Sequence, residues 1–594
     1  MGLLLFLAAL LVSALLWPAQ SSPLGIICHR PDLLNQAHWS ALEQLGATCE
    51  FLVIPTATSP EQPFDFSQFE ADLTASASHK LEVAASPVPH LGSVFWQPQT
   101  DPDGNTKADR QNPYDPAFRA EWARFHLAFC ERYGHDPRLK RIYVNPPSFY
   151  GETEYYHGPD WNNPVFFCYG PLARQRYAEW RERYFGSSES AESLSLPKPS
   201  TRTAPGEQVD ASWLEFMQWR REYLLDLMSE QLLLLGNRFD GETCFKYSVG
   251  IFSAFQGTDA SALASRCRDL PRFGLHSTIG HSLADLKLAV TLRDTYGLSS
   301  LVTENDGNRF GRTELAKVAL NCLLAGVHEF NFAHMGYLAE STGGGGATND
   351  TVRTLLQMRE LLKRYPTAVP RRGLAFLHTV SSSYARAPLY RNADVPHVYD
   401  SALSNGSFAD SWGFSWARWL EQPDVTDEQL VLDGDLDGRR LLILPSTDTT
   451  LVRAEVWQQV EEWVQAGGVV AGFGPDSSSA TLPSPGIQQE PSTSLVKGIF
   501  PIVGESQGEL KATRQLLQWL TGPPWELRQG TCPVWEGPLP TGWEALVEDS
   551  EGHCALAQHR LGEGRLVWLP ALVPSARGGP YELFYTEIVP VLLR

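Results

Sequence analysis

One pattern recurs eight times between residue 25 and about residue 365: a short apolar segment, a loop, then an amphipathic helix. The apolar segments are 25–28, 49–54, 81–85, 141–145, 244–248, 274–279, 300–303 and 327–332. Each is rich in β-branched or aromatic residues, the composition of a strand buried on both faces. Strands that alternate with helices pair in parallel, because each parallel connection needs a crossover. Eight such units close into a (β/α)8 TIM barrel. The helices between them are legible. Leu172, Tyr177, Trp180 and Tyr184 share one face, and Gly186 stops that helix. Trp213, Phe216, Met217, Leu224, Leu227 and Met228 form another stripe, and 350–364 a third, ended by Pro366. The span exceeds the usual ~250 residues of such a barrel, so loops carry insertions. The largest falls between the fourth and fifth strands and includes a Ser/Pro-rich stretch, 187–211, read as a solvated loop.

At 594 residues the chain is too long for one core. A second α/β unit starts near Arg371, with strands expected at 373–378, 440–445 and 469–472. Val456, Val460, Trp463 and Val464 stripe the intervening helix, and Gly467-Gly468 ends it. This order predicts a flavodoxin-like, doubly wound sheet. Gly472-Phe473-Gly474 is too isolated a glycine pattern for a nucleotide site and reads as a structural turn. Strand-like runs at 543–547 and 565–570 and a helix at 581–593 follow, which either complete the second unit or form a small β module. The expected division is a signal peptide over 1–22, a catalytic barrel over 23–368, the flavodoxin-like α/β domain over 369–500, and a C-terminal β-rich segment over 501–594.

The N-terminal apolar run, 3–17, is shorter than the ~20 residues a helix needs to span a bilayer, and small residues follow it. It reads as a cleaved export signal, giving a secreted or periplasmic protein with no membrane span in the mature chain. Sixty-eight acidic against 48 basic side chains leave a net charge of −20, which argues against nucleic acid or an anionic membrane as partner. The nine cysteines contain no C-x-x-C pair, so a zinc finger is not expected, and Cys532–Cys554 is the plausible local disulfide.

In a barrel, chemistry sits at the C-terminal ends of the strands. The polar and aromatic residues there are His29 and Arg30 after strand one, His90 and Trp96 after three, and Asn145, Tyr150, Glu152, Tyr155 and Tyr156 after four. Tyr247 and Ser248 follow strand five, His276 and His281 strand six, Glu304 and Asp306 strand seven, and Asn331 and His334 strand eight. Glu152 and Glu304 stand on opposite sides of the mouth. Such a pair suits glycosidic bond cleavage, which needs one protonated acid at the leaving oxygen and one ionised nucleophile or base. Arg30, His29, Trp96, Asn145, Tyr150, Tyr155, Tyr247, His276 and His334 are the candidate substrate contacts, supplying rings to stack on sugars and donors for hydroxyls. Glu154 rivals Glu152, Asp306 could replace Glu304, and Glu329, inside strand eight, reads as structural. No H-x-x-x-H or H-E-x-x-H occurs among the histidines, so neither metal nor cofactor is expected.

These residues resemble the family 42 glycoside hydrolases, the β-galactosidase type with a retaining (β/α)8 barrel. The positions that match its acid/base and nucleophile are Glu152, in Gly151-Glu152-Thr153-Glu154-Tyr155-Tyr156, and Glu304, in Thr303-Glu304-Asn305-Asp306-Gly307. Phe167-Cys168-Tyr169-Gly170 and the helix ending in Tyr184-Phe185-Gly186 are similar to the family's Cys-containing loop and the helix it leads into. The run from Val460 to Val470 is similar to the helix–Gly-Gly–strand signature of its flavodoxin-like trimerisation domain. The resemblance implies an exported glycoside hydrolase acting on an oligo- or polysaccharide, and a possible homo-oligomer through the second domain. Gly151 precedes Glu152 where the clan commonly carries Asn, and Gly-Glu-x-x-Tyr is also the order in the acid-bearing loop of inverting β-amylases. Retention and inversion both stay open. The alternatives are a non-catalytic carbohydrate-binding protein on a degenerate barrel and a His-based metal hydrolase.

Overall fold

The structure, a computed structural model, describes residues 24–28, 36–53, 62–87, 99–144 (less 102 and 108–111), 168–198 (less 188), 210–247, 259–278, 283–305, 329–332, 373–381, 424–444, 452–473 and 538–569 (less 540 and 549). Residues 322, 327, 357 and 360 and a few short strands named below are described besides.

Eight parallel strands close a barrel. They are β1 (Leu24–Cys28), β2 (Thr48–Val53), β3 (Val83–Pro87), β4 (Leu139–Val144), β5 (Glu242–Tyr247), β6 (Phe273–Thr278), β7 (Leu301–Asn305) and β8 (Glu329–Phe332). Each pairs with its sequence neighbour, and β8 returns to β1 through Leu24↔Phe330 and Gly25↔Asn331. All eight expected strands are present, displaced by at most a few residues.

Alternation along each strand separates two environments. Outward residues such as Phe51, Val53, Ile142, Phe245 and Leu275 join one buried cluster with the surrounding helices. Those helices are α1 (Gln36–Leu45), α2 (Ser67–Ser78), α3 (Pro116–Tyr133), α4 (Pro171–Phe185), α5 (Ala211–Gly236), α6 (Ala260–Cys267) and α7 (Leu283–Tyr296). Their ends follow from local chemistry. Asp115 caps α3, accepting the Ala117 N–H, with Pro116 opening the helix. Gly186 ends α4 at φ 64°, a left-handed conformation that glycine adopts without a Cβ clash. Between β4 and β5 a separate aromatic cluster forms around Tyr177, Trp180, Trp213, Phe216 and Trp219, joined by Tyr114 from the β3–β4 connection. The stretch read as solvated is not wholly so, since Leu194 packs into this cluster at 5% exposure. In the connection between β3 and β4, a two-stranded ribbon (Gln99–Thr100 with Thr106–Lys107) bridges to Cys168 of the β4–β5 insertion through Thr100.

The second sheet contains β9 (Leu374–His378), β10 (Asp424–Asp427), β11 (Leu441–Ile443), β12 (Val469–Phe473), β13 (Lys511–Ala512), β14 (Trp543–Glu548), β15 (Cys554–Leu561) and β16 (Gly564–Leu569). Its order is β10-β9-β11-β12-β16-β15-β14-β13. Strands β10, β9, β11, β12 and β16 are parallel and follow the flavodoxin order 2-1-3-4-5. The fifth parallel strand thus comes from the C-terminal segment, and β15, β14 and β13 extend the sheet antiparallel. A short ribbon pairs Gly504–Ser506 with Cys532–Val534.

Among the described residues, two helices belong to this sheet, α8 (Glu428–Leu432) and α9 (Ala454–Gln465). After α9, Gly467 takes φ 113°, and a Cβ on Gly468 would run into the Trp463 ring. Gly472 and Phe473 lie inside β12 rather than in the turn expected at 472–474, and Gly474 lies outside the described residues. Cys554 is free and buried, as are Cys49, Cys130, Cys168, Cys244, Cys267 and Cys322, so the expected Cys532–Cys554 disulfide is not formed. The Cys554 thiol instead lies 3.3 Å from the Leu556 carbonyl, and burial pushes its pKa up to about 12. The export signal, the 350–364 helix and the 581–593 helix fall outside the described residues. Among those described, no helix is long and apolar enough to cross a membrane.

Candidate active site

The inward faces of the barrel strands carry charge. At the N-terminal tier, Arg141 on β4 donates to Glu242 Oε2 on β5 at 2.6 Å and to Glu329 Oε1 on β8 at 3.1 Å. Its guanidinium also donates to the Tyr143 hydroxyl at 3.1 Å. The other Glu329 oxygen accepts from Thr48 on β2 at 3.3 Å and from Lys140 at 3.4 Å. Glu329 is therefore a structural partner, as the sequence suggested.

Nearer the C-terminal mouth, Lys246 on β5 donates to Glu50 Oε1 on β2 at 2.7 Å, an ion pair that crosses the barrel. His276 on β6 is adjacent, its Nε2 3.8 Å from Glu50 Oε2 and its ring edge-on to Tyr143 at 4.7 Å.

Burial and partners set the protonation states. Burial alone would lower the Arg141 pKa, but Glu329, Tyr143 and Glu242 outweigh it and hold it well above its ordinary value. Burial likewise would raise Glu242, but Arg141, Ser299 and Ser300 bring it down to about 2. His276 is held well below its ordinary value, first by burial and then by Lys246 and Arg141, so its imidazole stays neutral. Burial drives Tyr143 well above the usual phenol range. The tiers therefore combine fixed ion pairs with one neutral imidazole.

Three sequence-derived candidates fall on described backbone. Glu304 is the penultimate residue of β7, in register with Thr278 on β6 and Asn331 on β8. Tyr247 is the last residue of β5 and pairs in register with Ser277. His276 is 0% exposed, beneath the mouth and beside Lys246 in register. These residues thus come together at the C-terminal part of three consecutive strands, with Asn331, itself 1% exposed, on the fourth. Glu152, His29, Arg30, Trp96, Asn145, Tyr150, Tyr155 and His334 lie outside the described residues. Glu50, Lys246, Arg141 and Glu242 escaped the sequence reading. Their signal was a lone charge inside an apolar strand, as in Thr48-Cys49-Glu50-Phe51 and Phe245-Lys246-Tyr247. Among the described residues, no group of three or more His, Cys, Asp or Glu is placed to hold a metal ion.

A closed parallel barrel followed by a 2-1-3-4-5 sheet is a fold that this chain shares with solved family 42 β-galactosidases. The β-galactosidase of Bacillus circulans sp. alkalophilus superposes on 96% of this chain and 88% of its own, with a TM-score of 0.67 and 13% identity. The cold-adapted β-galactosidase of Rahnella sp. R3 does so over 96% and 88%, at TM-score 0.65 and 16% identity. A catalytic mutant of Gan42B, a family 42 β-galactosidase of G. stearothermophilus, covers 96% and 87%, at TM-score 0.68 and 13% identity. At such identities the shared property is the fold. No family profile and no curated protein matches the chain by sequence.

Proposed function

We propose that the chain is an exported glycoside hydrolase of β-galactosidase type. The observation that carries this reading is the position of Glu304, one residue from the C-terminal end of β7, in a barrel that shares its fold with β-galactosidases. In the mechanism, Glu304 attacks the anomeric carbon while Glu152 protonates the departing oxygen. Glu152 then takes a proton from water, and the resulting attack releases the sugar and frees Glu304. Both carboxylates return to their starting states, and no cofactor enters.

Arg30, His29, Trp96, Asn145, Tyr150, Tyr155, Tyr247 and His334 are assigned to the sugar. His276, beneath the mouth, is assigned to supporting those contacts. We read 1–22 as the export signal, and assembly of copies as a role of the second sheet.

The test is Glu304→Gln and Glu152→Gln in the full chain, assayed on aryl β-galactosides with circular dichroism as the fold control. Each variant is expected to lose activity by at least about 10³-fold while remaining folded. Wild-type rates in both would refute the assignment. The anomer first released, followed by NMR, reports retention or inversion. The Gly151 that precedes Glu152 favours a second reading, a barrel that binds saccharide without cleaving it. Saccharide binding with no turnover in the wild type selects that reading.

A further inference from the structure

Two helices start where the barrel meets the second sheet, and an aspartate caps each. Asp259 caps α6, its Oδ1 accepting the Ala262 N–H at 2.9 Å while its Oδ2 accepts from Arg221 Nε of α5 at 2.9 Å. Asp427, the last residue of β10, caps α8, its Oδ1 accepting the N–H groups of Gln429 and Leu430 at 3.0 Å each. Its Oδ2 is hydrogen-bonded to the hydroxyl of Ser261, in the first turn of α6. Asp427 therefore ties the starts of two helices from different sheets. It is 1% exposed, and Asp259 is 2% exposed.

The charges around it are committed elsewhere. Arg221 pairs with Asp259. Arg453, before α9, lies 3.7 Å from Glu428, which also accepts the N–H and hydroxyl of Ser381 at 2.7 Å each. Arg439 holds Asp435 and Asp424. From α7, Tyr296 donates to Asp433 at 2.9 Å and Thr295 to Asp435 at 3.1 Å, while Lys287 lies about two and a half turns back along that helix. His378 ends β9 close by, fully buried. Among the described residues, no arginine or lysine bonds Asp427.

We propose that Asp427 is a proton-dependent latch between the barrel and the second sheet: protonated, its Oδ2–H donates to the Ser261 hydroxyl oxygen and ties α6 to α8, and ionised, it is a buried charge near Asp259 with no arginine or lysine bonded to it among the described residues, and the joint loosens. This holds whatever the barrel's activity. Burial, and then Asp259, push the Asp427 carboxyl up to about 7, while Arg221 outweighs burial and holds Asp259 below the usual range. A raised carboxyl pKa means that the closed joint binds a proton the open one releases. Closure is therefore most favoured in acid, weakens as pH rises from about 4 to about 7, and is constant above that. His378 works in the opposite direction. Burial lowers its pKa to about 3, so the closed state lacks a proton that an exposed imidazole would bind below about pH 6.5. The wild-type profile alone mixes the two, and the readout must be a difference.

Asp427→Asn keeps the cap acceptor and places an amide donor toward Ser261, but it cannot ionise. Hydrogen exchange of the Gln429 and Leu430 amides in the full chain, corrected for intrinsic exchange rates, is compared between wild type and variant from about pH 5 to 8. The ratio of variant to wild-type protection is expected to rise about tenfold per pH unit up to about pH 7, then level off. A ratio independent of pH overturns the latch. Should the variant fail to fold, Asp259→Asn provides the second test. With the facing charge gone, the wild-type pH window moves to lower pH, and an unmoved window overturns the proposal.

Discussion

Inside the barrel, inward positions of β2, β4, β5 and β8 carry Glu50, Arg141, Lys246 and Glu329, none more than 2% exposed. In the second sheet, the middles of β9, β11 and β12 carry Ala375, Phe376, Leu442, Ile443, Val470 and Ala471, none more than 3% exposed. The barrel and the parallel strands of the second sheet are both covered by helices, so both have the opportunity to fill themselves with aliphatic side chains. The barrel does not. Buried ion pairs seldom improve on an apolar core of the same shape, because desolvation offsets most of their attraction. Charge retained inside the barrel is therefore better explained by what its mouth must hold than by stability. Among the described residues, the buried charges of the second sheet gather at its β10 edge, at Asp424, Asp427 and the Arg439 that pairs with Asp424, where barrel helix α7 packs.

The sharpest way to test that contrast is to remove one partner of the ion pair that crosses the barrel. Lys246→Met leaves Glu50 buried and unpaired, and is expected to cost about 3–5 kcal/mol in urea unfolding. Glu50→Leu with Lys246→Met removes both charges and should recover much of that loss. A single variant within ~1 kcal/mol of wild type would mean that water reaches the pair and that the two interiors do not differ as described.

How much of this was legible in the sequence depended on what each position had to satisfy. Outward barrel residues face helices, so β2, β4 and β6 showed as apolar runs and were placed to within a few residues. The inward residues face one another across the barrel, and their partners lie far away in sequence: Glu50 and Lys246 are 196 residues apart. Nothing local marks such a pair except a charge in an apolar run. The place of Glu304 near the C-terminal end of β7 was legible because it follows such a run. Strand β10, Asp424-Val425-Thr426-Asp427, was missed because its polar residues are satisfied by Arg439, Ser261 and helix caps rather than by packing. The fifth parallel strand of the second sheet was seen as a strand at 565–570, but its membership in that sheet depends on pairing with β12, which no periodicity encodes.

Acid separates the regions next. Burial lowers His126, on a barrel helix, to about 4, His378, in the second sheet, to about 3, and His276, inside the barrel, well below its ordinary value. Each is neutral when folded and takes up a proton on unfolding below about pH 6.5, so each contributes stability that is lost as pH falls from there. Asp427 opposes them with one proton between about pH 4 and 7. Between pH 6 and 5 the described groups therefore give a net uptake of about two protons on unfolding, or roughly 2.7 kcal/mol lost per pH unit. Urea titrations at the two pH values check this, and a slope of zero or opposite sign contradicts the buried neutral imidazoles. Smaller still is the effect of trimming the apolar sheet. Ile443→Val on β11 deletes one buried methylene without stranding a polar group, and should cost about 0.5–1.5 kcal/mol with activity unchanged.

The smallest expected effect isolates burial from chemistry. Arg119 and Glu230 form an ion pair between α3 and α5, with side chains 32% and 56% exposed. Its attraction acts through water, and holding two long side chains together costs conformational freedom. The Arg119 guanidinium also lies 5.9 Å from the Tyr223 ring centroid, a contact that does not depend on Glu230. Glu230→Gln should therefore change stability by no more than about 1 kcal/mol, and by less as salt is raised. Lys246–Glu50 is the same kind of pair taken out of water, and its loss should not fade with salt. If Glu230→Gln costs as much as Lys246→Met, and both costs fall together with ionic strength, then overall charge balance rather than burial governs the two pairs, and the barrel interior is no different from the surface.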